Sequence, residues 1–290
     1  MKTINTVKEM QEYSLQMRKE GKKIGFVPTM GYLHEGHLSL VRKAREASDV
    51  VVVSTFVNPT QFAPNEDFSK YPRDEQKDKM LLENEKVDAV FIPSPEEIYL
   101  RGFQTYVEVG EITRGLEGQS RPTHFKGVTT IVTILFNSVM PHVAVFGQKD
   151  AQQAVVIKRM VQDLRMNIEI IVHPIVREKD GLALSSRNIY LSEKERKDAL
   201  VLSSSLRYAS EMIASGEMDS GEIIGEMRKK IEAVDSSSLD YIKIVDAETF
   251  EEAPSLSQGG KYYILVACRI GKTRLIDNLL VNTGKSELFV

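Results

Sequence analysis

Cysteine is almost absent from this 290-residue sequence, in which Cys268 is the one thiol. A single cysteine excludes an internal disulfide and a zinc site built from cysteines. Apolar runs such as residues 50–53 are far too short to cross a bilayer, and the first residues lack the apolar segment of a signal peptide. The formal net charge is only −3, so there is no strong basic field to attract nucleic acid nonspecifically. We therefore expect a cytoplasmic protein of about two domains.

The first two-thirds of the sequence alternates strand-like and helix-like segments. Buried strands are predicted at 24–29, 50–57, 87–92, 142–146 and 168–172, with an alternating edge element at 104–109. Helices are predicted from a capping box at Thr6 onward and at 36–48, 73–86, 127–140 and 150–164. This order predicts an α/β fold, a Rossmann-like doubly wound parallel sheet with helices on both faces.

The pattern changes after Pro174, where two helices (192–215 and 219–234) precede three strands (241–245, 262–269 and 273–280). This is the order of a smaller α+β domain at the C-terminal end. We therefore predict two domains, 1–176 and 177–290. The loop 176–188 joins them in this prediction.

The most informative motif is Pro-Thr-Met-Gly-Tyr-Leu-His-Glu-Gly-His at 28–37, which follows the first buried strand and opens a helix. The carboxyl ends of parallel strands and the N-termini of helices are where such sheets bind ligands, and phosphates in particular. Gly36 has no Cβ, so a ligand can approach the backbone closely. His34 and His37 lie about one helical turn apart and can face the same phosphate chain. The alternatives are two surface histidines at a helix start and, less favoured by the spacing, a metal site.

His-x-Gly-His after the first strand resembles the nucleotidylyl-transferase superfamily. Four further segments narrow the resemblance: Phe-Val-Asn-Pro-Thr-Gln-Phe at 56–62, Arg-Pro-Thr-His-Phe at 121–125, Phe-Gly-Gln-Lys-Asp-Ala-Gln-Gln at 146–153 and Ser-Ser-Arg-Asn at 185–188. Their order and spacing are similar to those of the pantoate–β-alanine ligases, and the resemblance covers essentially the whole chain. One departure is Leu184, where the family often has methionine.

The resemblance implies a two-step ligation with ATP as a substrate and Mg²⁺ as a cofactor. Pantoate attacks the α-phosphate to give pantoyl adenylate and pyrophosphate, and β-alanine then displaces AMP to give pantothenate. A carboxylate nucleophile is already ionised at neutral pH, so the first step needs charge neutralisation rather than a general base. The resemblance also implies a homodimer that acts on small molecules. The near-neutral charge and the short apolar runs lead us to expect no nucleic-acid or membrane partner.

Residue by residue, the resemblance implies four catalytic groups: His34, His37, Lys149 and Arg187. His37 has the place of a proton donor, although stabilisation of transition-state charge would need the same geometry. Gln61 and Gln153 are the expected pantoate ligands, and Gln61 also the β-alanine ligand. The expected ATP contacts are Met30, Gly31, Tyr32, Leu33, His34, Glu35, Gly36, His37, Gly147, Gln148, Lys149, Asp150, Val176, Leu184, Ser185, Ser186 and Arg187.

Other candidates are secondary. Asn58, Tyr71 and His124 are further site candidates, His142 and His173 are expected to be structural, and no metal ligands are assigned. Because an acyl adenylate hydrolyses if water reaches it, the C-terminal domain is expected to act as a lid. Two other functions stay open: a nucleotidylyl transferase that keeps the nucleotide on its product, and an RNA-binding module without ligase activity.

Overall fold

The computed structural model describes residues 1–62, 68–69 and 71–284. The chain divides into two compact units. The first comprises Met1–Gly147 and Gln152–His173, and the second comprises Gln148–Ala151 and the chain from Pro174 onward. The boundary predicted from the sequence, between residues 176 and 177, places Gln148–Ala151 in the first domain.

The first unit is built on a six-stranded sheet in which all paired strands are parallel. Its strands are β1 (Lys2–Ile4), β2 (Ile24–Thr29), β3 (Val50–Thr55), β4 (Ala89–Phe91), β5 (Val143–Gly147) and β6 (Glu169–His173). Their spatial order is β1-β4-β3-β2-β5-β6. The winding direction reverses between β2 and β5, so the carboxyl ends of these two strands flank the switch point at which open α/β sheets bind ligands.

Helices cover both faces of this sheet. They are α1 (Val7–Lys19), α2 (Glu35–Ala47), α3 (Glu75–Asn84), α4 (Pro95–Ile98), α5 (Glu117–Ser120), α6 (His124–Val139) and α7 (Ala151–Asp163). In β3, Val50 and Val52 pack with α1, α6 and α7, whereas Val51 and Val53 pack with α2 and α3. Successive side chains of a strand point to opposite faces, so a continuous valine run fills two cores. The predicted doubly wound α/β class is confirmed.

One predicted strand is wrong. The alternating segment 104–109 pairs with no strand of the described chain. Its backbone is bound by threonine side chains of α6 instead: Val107 N donates to Thr130 Oγ1 (3.0 Å), and Thr129 Oγ1 donates to Val107 O (2.6 Å). These hydroxyls satisfy the backbone groups that a neighbouring strand would otherwise have bound.

The structure also contains a strand, β1, and a helix break that the sequence patterns do not predict. The three residues of β1 pair in parallel with β4 at the edge of the sheet, from Lys2 opposite Ala89 to Ile4 opposite Phe91. The single helix predicted at 192–215 is two helices, which meet at Ala199.

The second unit is an antiparallel sheet packed against helices. The strands β7 (Ser237–Asp246), β8 (Lys261–Ile270) and β9 (Thr273–Asn282) follow α8 (Glu193–Asp198), α9 (Leu200–Ala214) and α10 (Ser220–Glu232). Apolar residues of α9, α10 and all three strands form one core. The predicted α+β class of this part is confirmed. Among the described residues of the whole chain, no helix is long and apolar enough to cross a membrane.

Candidate active site

The histidine motif forms a capping box at the N-terminus of α2. His34 is the N-cap residue, and its Nδ1 accepts a hydrogen bond from Gly36 N (3.2 Å). His37 Nδ1 in turn accepts from His34 N (3.3 Å), and the two ring centroids are 4.1 Å apart. With Nδ1 an acceptor in both rings, the proton of each neutral imidazole is on Nε2. Both rings lie at the N-terminus of α2, the positive end of its helix dipole, which favours an anion.

The turn between β2 and α2 is held from α3. Asp78 is 4% exposed and accepts hydrogen bonds from Tyr32 N (2.8 Å) and Leu33 N (2.7 Å), one on each carboxylate oxygen. Gly31 has a φ of +78°, and a Cβ there would be 3.0 Å from Asp78 Oδ2. Tyr32, with a φ of +53°, is also in the left-handed region. This unusual backbone is maintained by the buried carboxylate, so Asp78 positions the segment that carries the histidines.

Burial raises the pKa of Asp78 above its usual value of 3.8, and the Leu33 and Tyr32 amides only partly counteract this effect. A carboxyl group whose pKa is higher in the folded chain than in the unfolded chain binds more protons in the folded state. Its stabilising contribution is therefore present at low pH and is lost as pH rises through the folded pKa.

We predict that the free energy of unfolding of the wild type falls relative to that of Asp78→Asn as pH rises from about 4 to about 8. The reason is that Asp78 loses its proton over this range, whereas asparagine does not titrate. Urea denaturation of both proteins at several pH values measures this difference. A difference that does not vary with pH would mean that burial leaves the Asp78 pKa unchanged.

The Gln61 side chain has a defined orientation. Asn58 Nδ2 donates to Gly127 O (3.1 Å), and Asn58 Oδ1 accepts from Thr60 N (3.4 Å). These two backbone partners determine the positions of the oxygen and the nitrogen in the Asn58 amide. The same Asn58 Nδ2 donates to Gln61 Oε1 (3.2 Å). Gln61 Nε2 therefore points away from Asn58, and it lies 2.9 Å from Met30 Sδ, a weak acceptor. Asn58, 1% exposed, acts here as a support for Gln61.

The backbone of Gln61 is held equally closely by α6 and the residues before it. The Gln61 carbonyl lies 3.3 Å from Arg121 Nη2 and 3.1 Å from His124 Nδ1. Arg121 also lies 3.2 Å from His124 Nε2, so both ring nitrogens of His124 have protein partners. Gly127 has no Cβ, and one added there would be 2.7 Å from Gln61 Cα. The close approach of α6 thus depends on glycine at this position.

The two glutamines at 152 and 153 have different environments. Gln152 bonds the start of α5 and the residues before it: its Oε1 accepts from Glu117 N (3.0 Å), and its Nε2 donates to the carbonyls of Ile112 and Gly115 (2.9 Å each). Gln153 is half-buried, and its side chain makes no hydrogen bond to any described residue. Of the pair, Gln153 is the one whose amide has capacity for a ligand.

In the second unit, residues 148–150 form one 3-10 turn after β5. Lys149 is half-buried, and its ammonium group makes no ion pair or hydrogen bond with a described residue. Asp150 is exposed. The carbonyl oxygens of Gln148 and Lys149 both accept from Asn278 Nδ2 (2.9 and 3.0 Å). The Lys149 ammonium has no partner among the described residues, and Asn278 holds the backbone that carries it. This combination is suited to binding an anion.

The segment 176–187 is a short hairpin followed by a capped turn. Leu184 N donates to Val176 O (3.0 Å), and Arg177 and Ala183 form a bridge. Ser185 caps the next 3-10 helix, since its Oγ accepts from Arg187 N (3.3 Å). Ser186 and Arg187 occupy the first residues of that helix and are half-buried.

The remaining predicted residues lie elsewhere or have other partners. Glu35 pairs with Arg42, and Tyr71 is buried beside Phe62. His142 Nδ1 accepts from Ile24 N (2.9 Å), at the amino end of β2 and thus at the opposite edge of the sheet from the histidine turn. No group of three or more histidine, cysteine, aspartate or glutamate side chains that could hold a metal occurs among the described residues.

Three residues that hold predicted site segments were not predicted from the sequence: Asp78, Asp277 and Asn278. Asp78 lies in a charged helix, where one buried carboxylate has no distinguishing pattern. Asp277 and Asn278 do have a signal, because two adjacent polar residues interrupt the apolar run 275–281 of a strand. A polar pair inside a buried strand indicates specific hydrogen-bond partners.

The chain is similar to several known proteins. The family model described as Pantoate-beta-alanine ligase matches residues 2–280. The chain is 55% identical over 281 residues to a pantothenate synthetase of Thermotoga petrophila and 53% identical to one of Acetivibrio thermocellus. Each alignment covers 97% of this chain, with 100% and 99% of the relative, respectively.

Solved structures show the same relationship. A crystal structure of pantothenate synthetase from Thermus thermophilus has a TM-score of 0.90 at 44% identity, covering 96% of this chain and 99% of the other. A pantoate–β-alanine ligase from Francisella tularensis, complexed with beta-gamma ATP and β-alanine, has a TM-score of 0.78 at 37% identity and covers 97% of each chain. The chain therefore belongs to the pantoate–β-alanine ligase family.

Proposed function

We propose that this chain joins pantoate and β-alanine to form pantothenate, with cleavage of ATP to AMP and pyrophosphate through a pantoyl-adenylate intermediate. The observation that carries the proposal is the His34–His37 capping box at the N-terminus of α2, beside the switch point of a parallel sheet. Family membership supports the same reaction, as does the relative solved with beta-gamma ATP and β-alanine.

In the first step a pantoate carboxylate oxygen bonds to the α-phosphorus of ATP, and the bond from that phosphorus to pyrophosphate breaks. Negative charge accumulates on the phosphate oxygens and on the leaving group, so donors already oriented in the site lower the barrier. The Nε2–H groups of His34 and His37 and the backbone N–H groups at the start of α2 fit this role. The tautomers support it, because a neutral ring whose Nδ1 accepts a backbone N–H carries its proton on Nε2.

Pantoate, with one carboxylate and two hydroxyl groups, fits the two glutamines. Gln61 directs its NH₂ group away from Asn58, so it offers hydrogen-bond donors to an anionic oxygen. Gln153, whose amide bonds no described residue, offers both a donor and an acceptor to the hydroxyl groups. In the second step the uncharged amine of β-alanine attacks the acyl carbon and AMP leaves. Gln61 is suited to bind β-alanine through the same donors.

In this proposal the triphosphate of ATP is bound by cationic residues of the second unit. The ammonium of Lys149 and the guanidinium of Arg187, with the hydroxyls of Ser185 and Ser186, neutralise and orient the β- and γ-phosphates in this proposal. The adenosine contacts are proposed for the backbone of Val176 and Leu184. Mg²⁺ commonly binds through substrate phosphates with few protein carboxylates, so we propose that ATP carries it.

We propose three further properties together with the reaction: a homodimer, a cytoplasmic location and a lid role for residues 177–290. The division of the chain into two compact units supports a lid role. Sedimentation of the purified chain would measure the oligomeric state.

The reaction is tested by incubating the protein with ATP and D-pantoate, with and without β-alanine, and measuring AMP and pantothenate. We expect sustained AMP release only when β-alanine is present, in a one-to-one ratio with pantothenate. Omission of pantoate is the matched control. Sustained pyrophosphate release without AMP when ATP, pantoate and β-alanine are all present would overturn the proposal and favour a transferase that keeps the nucleotide on its product.

A further inference from the structure

Two adjacent residues of β9 bind two segments to which the proposed function assigns ATP contacts. Asn278, 2% exposed, donates through Nδ2 to the carbonyls of Gln148 (2.9 Å) and Lys149 (3.0 Å). Its Oδ1 accepts from Gln148 Nε2 (3.2 Å). Both ends of the Asn278 amide are thus bonded to the turn that presents the Lys149 side chain.

The preceding residue binds the hairpin 176–184. Asp277, 4% exposed, accepts two hydrogen bonds from the Arg177 guanidinium, at 2.7 and 2.9 Å. The same guanidinium donates to Gly181 O (3.1 Å) at the tip of the hairpin. Asp277 Oδ1 also accepts from Asn278 N (2.7 Å), so the carboxylate is nearly saturated with donors. A bidentate arginine–carboxylate pair defines both the distance and the angle between its partners.

The burial pattern of β9 indicates why these residues are polar. Thr273, Leu275 and Asp277 are buried at every second position, as expected for one face of a strand. Asn278 breaks this alternation, so both faces of the strand are buried at residues 277 and 278. Aliphatic side chains would fill these buried positions at lower desolvation cost. Asp277 and Asn278 instead make hydrogen bonds to the turn at 148–149 and to the hairpin beyond Val176.

We propose that Asp277 and Asn278 are positioning residues for the nucleotide: they set the register between the Lys149 turn and the hairpin that ends at Leu184. This inference rests on the proposed function, which assigns both segments to ATP. Neither segment belongs to a regular sheet or a long helix, so the side-chain bonds from β9 supply the rigidity that phosphate contacts require.

The test is Asn278→Asp, which preserves size but places a carboxylate oxygen against the two carbonyls that Nδ2 now binds. We expect the KM for ATP to rise at least tenfold and the KM for pantoate to stay within twofold. The dissociation constant of a non-hydrolysable ATP analogue, measured by calorimetry without other substrates, is expected to rise in parallel. Asn282→Ala is the matched control, since Asn282 ends the same strand and its side chain, among the described residues, binds only Gly284 N (3.1 Å).

A folded Asn278→Asp protein with a wild-type KM for ATP and a wild-type analogue affinity would overturn the inference. So would a fall in kcat alone with unchanged KM values, because that result indicates a smaller folded fraction. If Asn278→Asp does not fold, Asp277→Asn replaces it and is held to the same criteria. Absence of pantothenate with the wild type would contradict the proposed function instead, while analogue affinity would still test the positioning pair.

Discussion

Replacing His37 with alanine is expected to lower the rate of adenylate formation by about three orders of magnitude while the chain stays folded. The reason is that removal of one oriented donor costs roughly 10²–10³ in turnover, and removal of a general acid roughly 10²–10⁴. Single-turnover formation of pantoyl adenylate from ATP and pantoate measures the loss. An unchanged single-turnover rate would remove His37 from the mechanism.

Two further substitutions at His37 separate its structural and chemical roles. The Oδ1 of His37→Asn replaces Nδ1 as the acceptor for His34 N, so this variant keeps the capping box and loses Nε2. We expect it to be as inactive as His37→Ala but more stable. His37→Gln places a neutral N–H donor near the Nε2 position, so recovery of activity favours charge stabilisation over proton donation. His142→Asn is the control, because His142 bonds a backbone amide at the opposite sheet edge.

The second large effect is expected for Gln61→Glu, which changes the charge of the side chain with little change in its shape. Asn58 Nδ2 continues to hold one oxygen, so the other carboxylate oxygen replaces the NH₂ group that the proposal directs at pantoate. Two like charges about 4 Å apart repel by on the order of 4 kcal/mol near a protein surface, which corresponds to roughly a thousandfold loss in affinity. The KM for pantoate measures this loss.

Matched variants distinguish repulsion from the loss of a hydrogen bond. Gln61→Met removes the donors without adding charge and should raise the pantoate KM much less than Gln61→Glu. Gln162→Glu adds the same charge on the exposed side of α7 and should leave the KM unchanged. Equal pantoate KM values for Gln61→Glu and the wild type would contradict a donor role for Gln61.

Much of the fold follows from local patterns in the sequence. The predicted strand at 24–29 coincides with β2, and the other buried strands begin or end within a few residues of the prediction, because continuous apolar runs persist only where both faces of a sheet are covered. The failures involve partners far away in sequence. Residues 2–4 form a strand only because β4 is beside them, and the alternation at 104–109 is satisfied by threonines of α6.

The site likewise has some features that depend on local sequence and others that depend on distant segments. His34 and His37 were predicted from a local motif, and the capping geometry of that motif is local too. The orientation of the Gln61 amide depends on the Gly127 carbonyl through Asn58, and the turn before His34 depends on Asp78 in another helix. Such contacts between distant segments leave no periodicity in a single sequence, so the supporting residues became visible only in three dimensions.

The pairing of β2 with β5 has a consequence for synthesis on the ribosome. His142, just before β5, binds the backbone of Ile24, 118 residues earlier. A nascent chain that ends before β5 therefore leaves one side of β2 without its neighbour, an unpaired strand of the kind that promotes association with other chains. At roughly 5–20 residues per second, this interval lasts on the order of ten seconds. We expect nascent chains arrested before residue 143 to bind a chaperone more strongly than chains arrested after residue 175.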